Sequence, residues 1–274
     1  MHVSRNPIDA QVIVNIIKSN DDNINNYFEQ LQAGNFLVVR GIERLSLDNL
    51  YNSAALNYPV DKQLYYLDLF IDASLAKYQM LGNIGRQITI SLSGTSYLMV
   101  PPDKNYWVSE QNWLLGYMAA LAHRKMAIVK LFCAVDLDLV HQKKDTKGGE
   151  YILLFAKFLQ RLFINGEPHA DRLLAASGAI KEGTMPESTY EYALYTDGPL
   201  MDIFKSIFVD DEKEFNERLL EALELHKKYW AKQPANSVRG LLSLPLTALC
   251  VMAKDYDFKI DHTSDYLLQF LIDK

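Results

Sequence analysis

Cysteine is scarce in this sequence, and long apolar runs are missing. Cys133 and Cys250 are the only cysteines among 274 residues. Two cysteines without a C-x-x-C pair or a nearby histidine provide neither a disulfide framework nor a zinc site. No run approaches the ~18 uninterrupted apolar residues of a membrane span, and the first residues lack the apolar core of a signal peptide. The sequence therefore predicts a cytoplasmic protein without a membrane partner.

Turn residues are also few. The chain has 13 glycines and 9 prolines, whereas an all-β sandwich or barrel needs turn residues every ~8–12 positions. Hydrophobic residues make up 49% and charged residues 23% of the chain, which is typical of a folded globular protein rather than a disordered one. The composition therefore favours a globular protein built mainly of helices.

Apolar residues recur at helical spacing along most of the chain. The stretches with this pattern cover residues 9–19, 21–31, 61–81, 109–121, 126–132, 151–164, 170–176, 200–208, 211–230, 245–253 and 265–272. Asp21 is predicted to cap the second stretch, so that the first two form a helical hairpin. Residues 87–100 differ, because polar and apolar residues alternate around the turn Ser93-Gly94-Thr95. That pattern predicts one β-hairpin.

These elements together predict an all-α fold with one small β-hairpin near residues 87–100. Short connections between successive helices predict antiparallel helix pairs, in either a solenoid-like or a bundle arrangement. The polar stretch at residues 143–149 is interpreted as a loop inside the domain, because the helix after it is too apolar to stand alone. We therefore expect a single α-helical domain over residues 1–274.

Recognisable catalytic motifs are missing as well. The chain has no H-E-x-x-H, G-x-S-x-G, P-loop or G-x-G-x-x-G sequence, and no two of its six histidines lie three or four residues apart. Asp68 and Asp72 share one helix face and could contribute to a metal site, although a solvated pair of carboxylates is the commoner meaning of such a spacing. The sequence predicts no catalytic residues, no metal and no cofactor, with a helical metal-dependent hydrolase as an alternative.

Negative charge is concentrated in one segment. Residues 197–224 contain nine acidic and three basic residues, a net charge of −6 that equals the formal net charge of the whole chain. On a helical wheel five carboxylates form one stripe, which we name the acidic ribbon: Asp210, Glu214, Glu217, Glu221 and Glu224. The ribbon is interpreted either as a solvated helix face or as a docking strip for a basic partner. An acidic chain of this kind favours no nucleic-acid partner.

Three blocks of sequence resemble one known family. The last contains Arg239-Gly240-Leu241-Leu242-Ser243-Leu244-Pro245 and Ser264-Asp265-Tyr266-Leu267. The middle block contains Asp197-Gly198-Pro199 and Tyr229-Trp230, and the first contains Trp113 with Ala122-His123-Arg124. In this order the blocks resemble the immunity protein 49 family of bacterial polymorphic toxin systems. Gly240, Pro245, Tyr266 and Trp230 are interpreted as packing and turn positions.

The resemblance implies a function that composition does not. It implies a non-enzymatic, cytoplasmic, mainly α-helical immunity protein that binds and neutralises a co-encoded toxin by non-covalent occlusion. The toxins of this family are often HNH or endonuclease VII-type nucleases, so the implied partner is a basic nuclease domain. The acidic ribbon is then the candidate partner-binding site. A general α-solenoid adaptor with several partners is a further alternative.

Overall fold

The computed structural model describes residues 1–104, 107–143, 149–165, 170–233 and 237–274, with only the backbone described at 163–165. Helices dominate these ranges, which confirms the predicted all-α class. The α-helices are α1 (Ala10–Gln32), α2 (Val39–Ala55), α3 (Val60–Gly82), α4 (Glu110–Ala122), α5 (Met126–Cys133), α6 (Leu137–Lys143), α7 (Glu150–Asn165), α8 (Ala170–Gly178), α9 (Glu187–Tyr192), α10 (Gly198–Phe208), α11 (Glu212–Ala231), α12 (Leu244–Asp255) and α13 (Gln269–Ile272). None of the helices in the described ranges carries an apolar stretch long enough for a bilayer crossing.

Two small pairs of strands accompany the helices. Strands β2 (Ile88–Leu92) and β3 (Thr95–Met99) pair antiparallel, with Ile90 opposite Tyr97, and confirm the predicted hairpin. Strands β1 (His2–Val3) and β4 (Thr263–Ser264) form a parallel pair that joins the two ends of the chain. The sequence did not predict this second pair, because two-residue strands leave no periodic pattern to recognise.

The predicted hairpin at the amino-terminal end is wrong, because α1 is one continuous helix. Asp9 caps it by accepting hydrogen bonds from the backbone N–H groups of Gln11 and Val12, each at 3.1 Å. Asp21, the expected second cap, lies in mid-helix. Its Oδ1 accepts a hydrogen bond of 2.7 Å from the Tyr66 hydroxyl, and Lys62 lies 3.2 Å from its Oδ2. These partners on α3 make Asp21 a tertiary contact rather than a cap.

The helices pack as a bundle rather than as a solenoid. Successive helices α1, α2 and α3 pack side by side, but α4 packs extensively against the distant α12. A solenoid brings only neighbouring repeats together, so this contact selects the bundle alternative. Buried apolar side chains from Val3 to Ile272 form one cluster, with the indole of Trp113 fully buried and stacked on Tyr117. A single domain over residues 1–274 stays a prediction.

The carboxyl-terminal half of the chain consists of short helices joined by brief connections. Helix α9, a π-helical segment at Ala193–Asp197 and α10 follow one another without a break. Ser243 caps α12, accepting a hydrogen bond from the backbone N–H of Leu246. The final helix is shorter than the predicted 265–272, because residues before it form β4 and a turn. The predicted loop at 143–149 falls largely on residues 144–148, outside the described ranges.

Candidate functional site

The acidic ribbon is mostly exposed: four of its five residues are exposed, and Glu214 is half-buried. Asp210 lies in the turn between α10 and α11, with a φ of +55°. The Asp211 side chain caps α11 by accepting a hydrogen bond of 2.8 Å from the Glu214 N–H. Glu217, Glu221 and Glu224 then face solvent, on the side of α11 opposite its buried apolar residues.

Two cations on the same helix neutralise part of the ribbon. An Arg218 guanidinium nitrogen lies 2.9 Å from a carboxylate oxygen of Glu221 and another lies 3.7 Å from Glu214. Lys213 lies 3.7 Å from Glu217. Five carboxylates against two cations leave a formal charge of −3 on this face. Exposed ion pairs of this kind contribute little to stability. The ribbon carboxylates can therefore leave Arg218 and Lys213 and pair with cations of another molecule at little cost.

A partly apolar groove borders the ribbon at Glu221. It has a volume of about 250 Å³ and lies between α8, the π segment, α10 and α11. Its apolar wall includes Ile180, Leu194, Pro199 and Leu225, and Leu194 is 44% exposed. No pattern in the sequence reveals this groove, because its walls come from separate segments and no single helix contains them. We name it the ribbon groove.

The two aspartates considered for a metal site have structural partners instead. Asp68 Oδ1 lies 3.0 Å from His123 Nε2 and 2.7 Å from Lys125 Nζ. Burial raises the pKa of Asp68, but the contacts with His123 and Lys125 outweigh it and leave the pKa below its usual value. Asp72 accepts a hydrogen bond of 3.0 Å from the Ser93 backbone N–H and so anchors the turn of the β-hairpin. Within the described ranges no group of three or more His, Cys, Asp or Glu side chains could hold a metal ion.

A buried polar centre lies about the π segment. Asp197 is 1% exposed, and its carboxylate accepts hydrogen bonds of 2.8 Å from the Tyr151 hydroxyl and 3.4 Å from Gln111 Nε2. The same Gln111 nitrogen donates to the Tyr192 hydroxyl. Burial raises the pKa of Asp197 to about 6, although these hydrogen bonds oppose the shift. Asp197 therefore ties α4, α7 and the π segment together.

His226 and Trp230 on α11 form the other side of this centre. Burial lowers the pKa of His226 to about 4, and its ring packs edge-on against Tyr266 at 4.9 Å. A Cβ at Gly240 would lie 2.7 Å from the Trp230 side chain, so only glycine permits this close approach. Gly240 and Trp230 are packing positions, as the sequence predicts. Pro245 lies in the first turn of α12, and Tyr266 is fully buried, which agrees with the same interpretation.

The sequence predicted the acidic ribbon but not the burial of Asp197. In the sequence Asp197 belongs to the same acidic segment as the ribbon residues, whereas in the structure it is separated from them by burial. The available signal was the resemblance itself, because Asp197, Trp230 and Arg239 belong to the quoted blocks and line one cavity. The ribbon residues of α11 are brought together as expected.

A comparison with models of protein families identifies the family of this chain. The family model described as Immunity protein 49 matches residues 61–267, which is most of the chain. No curated protein matches the chain, and no solved structure does. The matched region begins in α3 and ends beyond β4, so it contains the ribbon, the ribbon groove and the buried polar centre. The chain belongs to the Immunity protein 49 family.

Proposed function

We propose that this protein binds and neutralises a toxin encoded beside it in a bacterial polymorphic toxin system, and that it acts in the cytoplasm. The observation that carries the proposal is the family match over residues 61–267. The proposed toxin is a nuclease with a basic surface, and the proposed mechanism is non-covalent occlusion without catalysis by this chain. The contacts of Asp68 and Asp72 do not support the hydrolase alternative, because both carboxylates already pair with or accept hydrogen bonds from neighbouring groups.

The charge of the acidic ribbon supports a basic partner. A nuclease surface that binds phosphates carries Lys and Arg side chains, and the formal charge of −3 left on the acidic ribbon complements such a surface. Because the Arg218 and Lys213 pairs are exposed, they exchange for pairs with the toxin at small cost. Complementary charge of this kind accelerates association and makes it sensitive to salt.

The ribbon groove supports a site for an apolar side chain of the same partner. Affinity in protein interfaces comes mainly from a few buried anchors, while charged rims set the rate of association. Leu194 and Leu225 line an open groove whose rim includes Asp202 and Glu221. The occupant that fits is an apolar side chain on a toxin segment that also carries lysine or arginine.

The proposal is tested with the toxin domain encoded next to this chain. Purified wild-type protein is expected to bind that domain in a 1:1 calorimetric or sedimentation titration and to restore growth when both are expressed. Absence of both effects contradicts the proposal, whereas equally tight binding to unrelated basic proteins indicates the adaptor alternative. Metal analysis of the purified protein tests the hydrolase alternative, since that alternative requires a stoichiometric transition metal.

A matched pair of variants tests the ribbon groove. Leu194→Ser replaces an apolar side chain of the groove that is 44% exposed. Leu37→Ser replaces an apolar side chain of similar exposure, 42%, that does not line the groove. We expect Leu194→Ser to weaken toxin binding about tenfold, the effect of losing one interface anchor contact, and Leu37→Ser to leave it unchanged. Equal affinities for both variants place the anchor elsewhere.

A further inference from the structure

Two neighbouring cavities on another part of the surface share three lining residues. The inner cavity, of about 70 Å³, lies beside the buried polar centre, and the outer one, of about 200 Å³, opens between α2 and α4. Both are lined by Asn112, Leu115 and Arg239, so the two cavities adjoin at these side chains. We name the combined feature the arginine cleft. It is distinct from the ribbon groove, with which it shares no lining residue.

The mouth of the arginine cleft is basic in an acidic protein. Arg40 and Arg44 on α2 and Arg239 from the turn before α12 line it, and all three are exposed. The guanidinium of Arg40 lies 3.9 Å from the centre of the Trp107 indole. Within the described ranges, none of the three forms an ion pair within 4 Å with a carboxylate. Three guanidinium groups are therefore available to an incoming acceptor.

The carboxylates at this mouth do not balance the arginines. Glu43 forms a buried ion pair with Lys77, so its charge is already compensated. Asp48 is half-buried, and its pKa is raised by burial although Arg44 and Arg239 act to lower it. Among the described residues, the lining of the outer cavity thus has three arginines without an ion pair and one further carboxylate, a formal charge of +2 in a chain of −6.

The inner end of the cleft contains buried nitrogen atoms without partners. His226 is 6% exposed and its Nε2 has no hydrogen-bond partner among the described residues, and the same holds for the indole nitrogen of Trp230. Both side chains line the inner cavity. An indole nitrogen can only donate, and a buried donor without an acceptor destabilises a fold. Although Asp197 also lines this cavity, no acceptor among the described residues lies within hydrogen-bond distance of either nitrogen.

We propose that the arginine cleft binds an oxyanion, a carboxylate or phosphate group, between Arg44 and Arg239 at its mouth. A guanidinium presents paired N–H donors that match the two oxygens of such a group. The unpartnered donor of Trp230 lies deeper in the same cleft and suits a second acceptor atom of the ligand. The size of the cavities limits the occupant to a small organic anion or to one acidic side chain of a partner protein.

The first experiment uses inorganic phosphate as the probe. Phosphate is titrated into the purified protein against chloride of equal ionic strength, while the midpoint of thermal unfolding and the tryptophan fluorescence are recorded. At a phosphate concentration ten times the dissociation constant, the midpoint is expected to rise by about 3 °C. Acetate at the same ionic strength tests the carboxylate form of the ligand. No rise with either anion overturns the proposal.

Variants separate a specific site from general ion effects. Arg239→Gln and Arg44→Gln are expected to abolish the rise, whereas Arg161→Gln, at an exposed arginine on α7, keeps it. Circular dichroism in chloride shows whether each variant is folded, and the exposed positions of Arg44 and Arg239 make both substitutions compatible with the fold. A rise of wild-type size in folded Arg44→Gln and Arg239→Gln overturns the proposal.

A competition experiment identifies the source of the anion. This arm rests on the proposed function, because it requires the toxin domain. If phosphate and Arg239→Gln both weaken toxin binding, the oxyanion is an acidic side chain of the toxin. If toxin binding is unaffected while phosphate still binds, the ligand is a free small anion. The phosphate titration does not depend on toxin binding, so failure of the proposed function leaves the test of the cleft intact.

Discussion

Asp197 and Glu221 belong to the same acidic segment of the sequence but lie in opposite environments. Asp197 is 1% exposed and accepts hydrogen bonds from Tyr151 and Gln111. The Glu221 side chain is 55% exposed and pairs with Arg218 on its own helix. The same carboxylate chemistry therefore builds an interior junction between helices at one position and an exchangeable surface charge at the other.

This difference shows that a buried carboxylate and an exposed carboxylate affect the protein in different ways. Buried polar groups are energetically sensitive because water cannot replace a missing partner. Exposed carboxylates keep water as an alternative partner, and their pairs contribute about 0–1 kcal/mol. We therefore expect changes in the buried polar regions to alter stability, and changes in the acidic ribbon to alter partner binding. The following predictions test that division.

The largest expected effect is on the buried ion pair beside the arginine cleft. Lys77 is 1% and Glu43 10% exposed in their side chains. Glu43→Gln leaves the Lys77 ammonium buried without a counter-charge, so we expect the free energy of unfolding to fall by about 3 kcal/mol. Urea denaturation measures the change. Glu221→Gln, the matched change in an exposed pair, is expected to alter stability by less than about 0.5 kcal/mol.

The double variant Glu43→Leu/Lys77→Met sharpens this prediction. Replacing both partners with apolar side chains removes the unpaired charge, so most of the loss should be recovered. If Glu43→Gln and Glu221→Gln have similar effects, burial does not distinguish the two ion pairs and the division between interior and surface charge fails.

The second prediction concerns pH and Asp197. Because burial raises its pKa from 3.8 to about 6, its favourable contribution is fully present below pH 3.8 and is lost as the pH rises through about 6. Asp197→Asn is uncharged at every pH. Its free energy of unfolding relative to the wild type should therefore rise by about 3 kcal/mol between about pH 4 and pH 7.5. Urea denaturation at several pH values measures this difference.

His226 makes the free energy of unfolding depend on pH in the opposite direction, so a variant at His226 is the control for Asp197→Asn. Its pKa is lowered from 6.5 to about 4, so its contribution is fully present above pH 6.5 and is lost as the pH falls through about 4. The two opposing terms give the wild type a shallow profile. His226→Gln should steepen the profile in the sense opposite to Asp197→Asn. Parallel curves for wild type and Asp197→Asn would contradict the prediction.

The third prediction compares two glycines. Gly240→Ala places a Cβ 2.7 Å from the Trp230 side chain, and we expect a loss of about 1–3 kcal/mol from overpacking. Nothing lies within 4 Å of a Cβ at Gly178, the last residue of α8, so Gly178→Ala should be close to neutral. Thermal unfolding of both variants measures the difference. Equal midpoints would show that Trp230 moves aside without cost.

The sequence predicted the features whose signal is local and periodic. The helix of the ribbon was foreseen as residues 211–230 and observed at Glu212–Ala231, because its apolar stripe repeats with the period of a helix. The β-hairpin was foreseen for the same kind of reason. The family resemblance was also readable, because its blocks occur as contiguous residues in the right order, and the match over residues 61–267 confirms it.

The remaining features depend on contacts between distant residues. Asp21 has the residue type of a cap, and only its bonds to α2 and α3 show that it is not one. The arginine cleft combines Arg40 and Arg44 with Arg239, nearly two hundred positions later in the chain. The burial of Asp197 likewise depends on α4 and α7. No window of sequence contains these pairs, so local patterns could not have revealed them.

The smallest expected effect on stability belongs to the acidic ribbon. Glu217→Lys/Glu221→Lys reverses two exposed charges opposite the apolar stripe of α11. Only the exposed pairs with Lys213 and Arg218 are lost, so the free energy of unfolding should change by less than about 1 kcal/mol. Capture of the toxin domain should nevertheless slow, and its dependence on salt should flatten, because electrostatic steering is reduced.

The matched control for the ribbon is Asp22→Lys/Glu29→Lys, which makes the same change in net charge at exposed positions of α1. Stopped-flow association with the toxin domain at low and high salt compares the two variants. A local docking role requires the α11 variant to associate more slowly than the α1 variant, since both have the same total charge. Equal rates would mean that only net charge matters, and the ribbon would then be a solvated helix face with the toxin bound elsewhere.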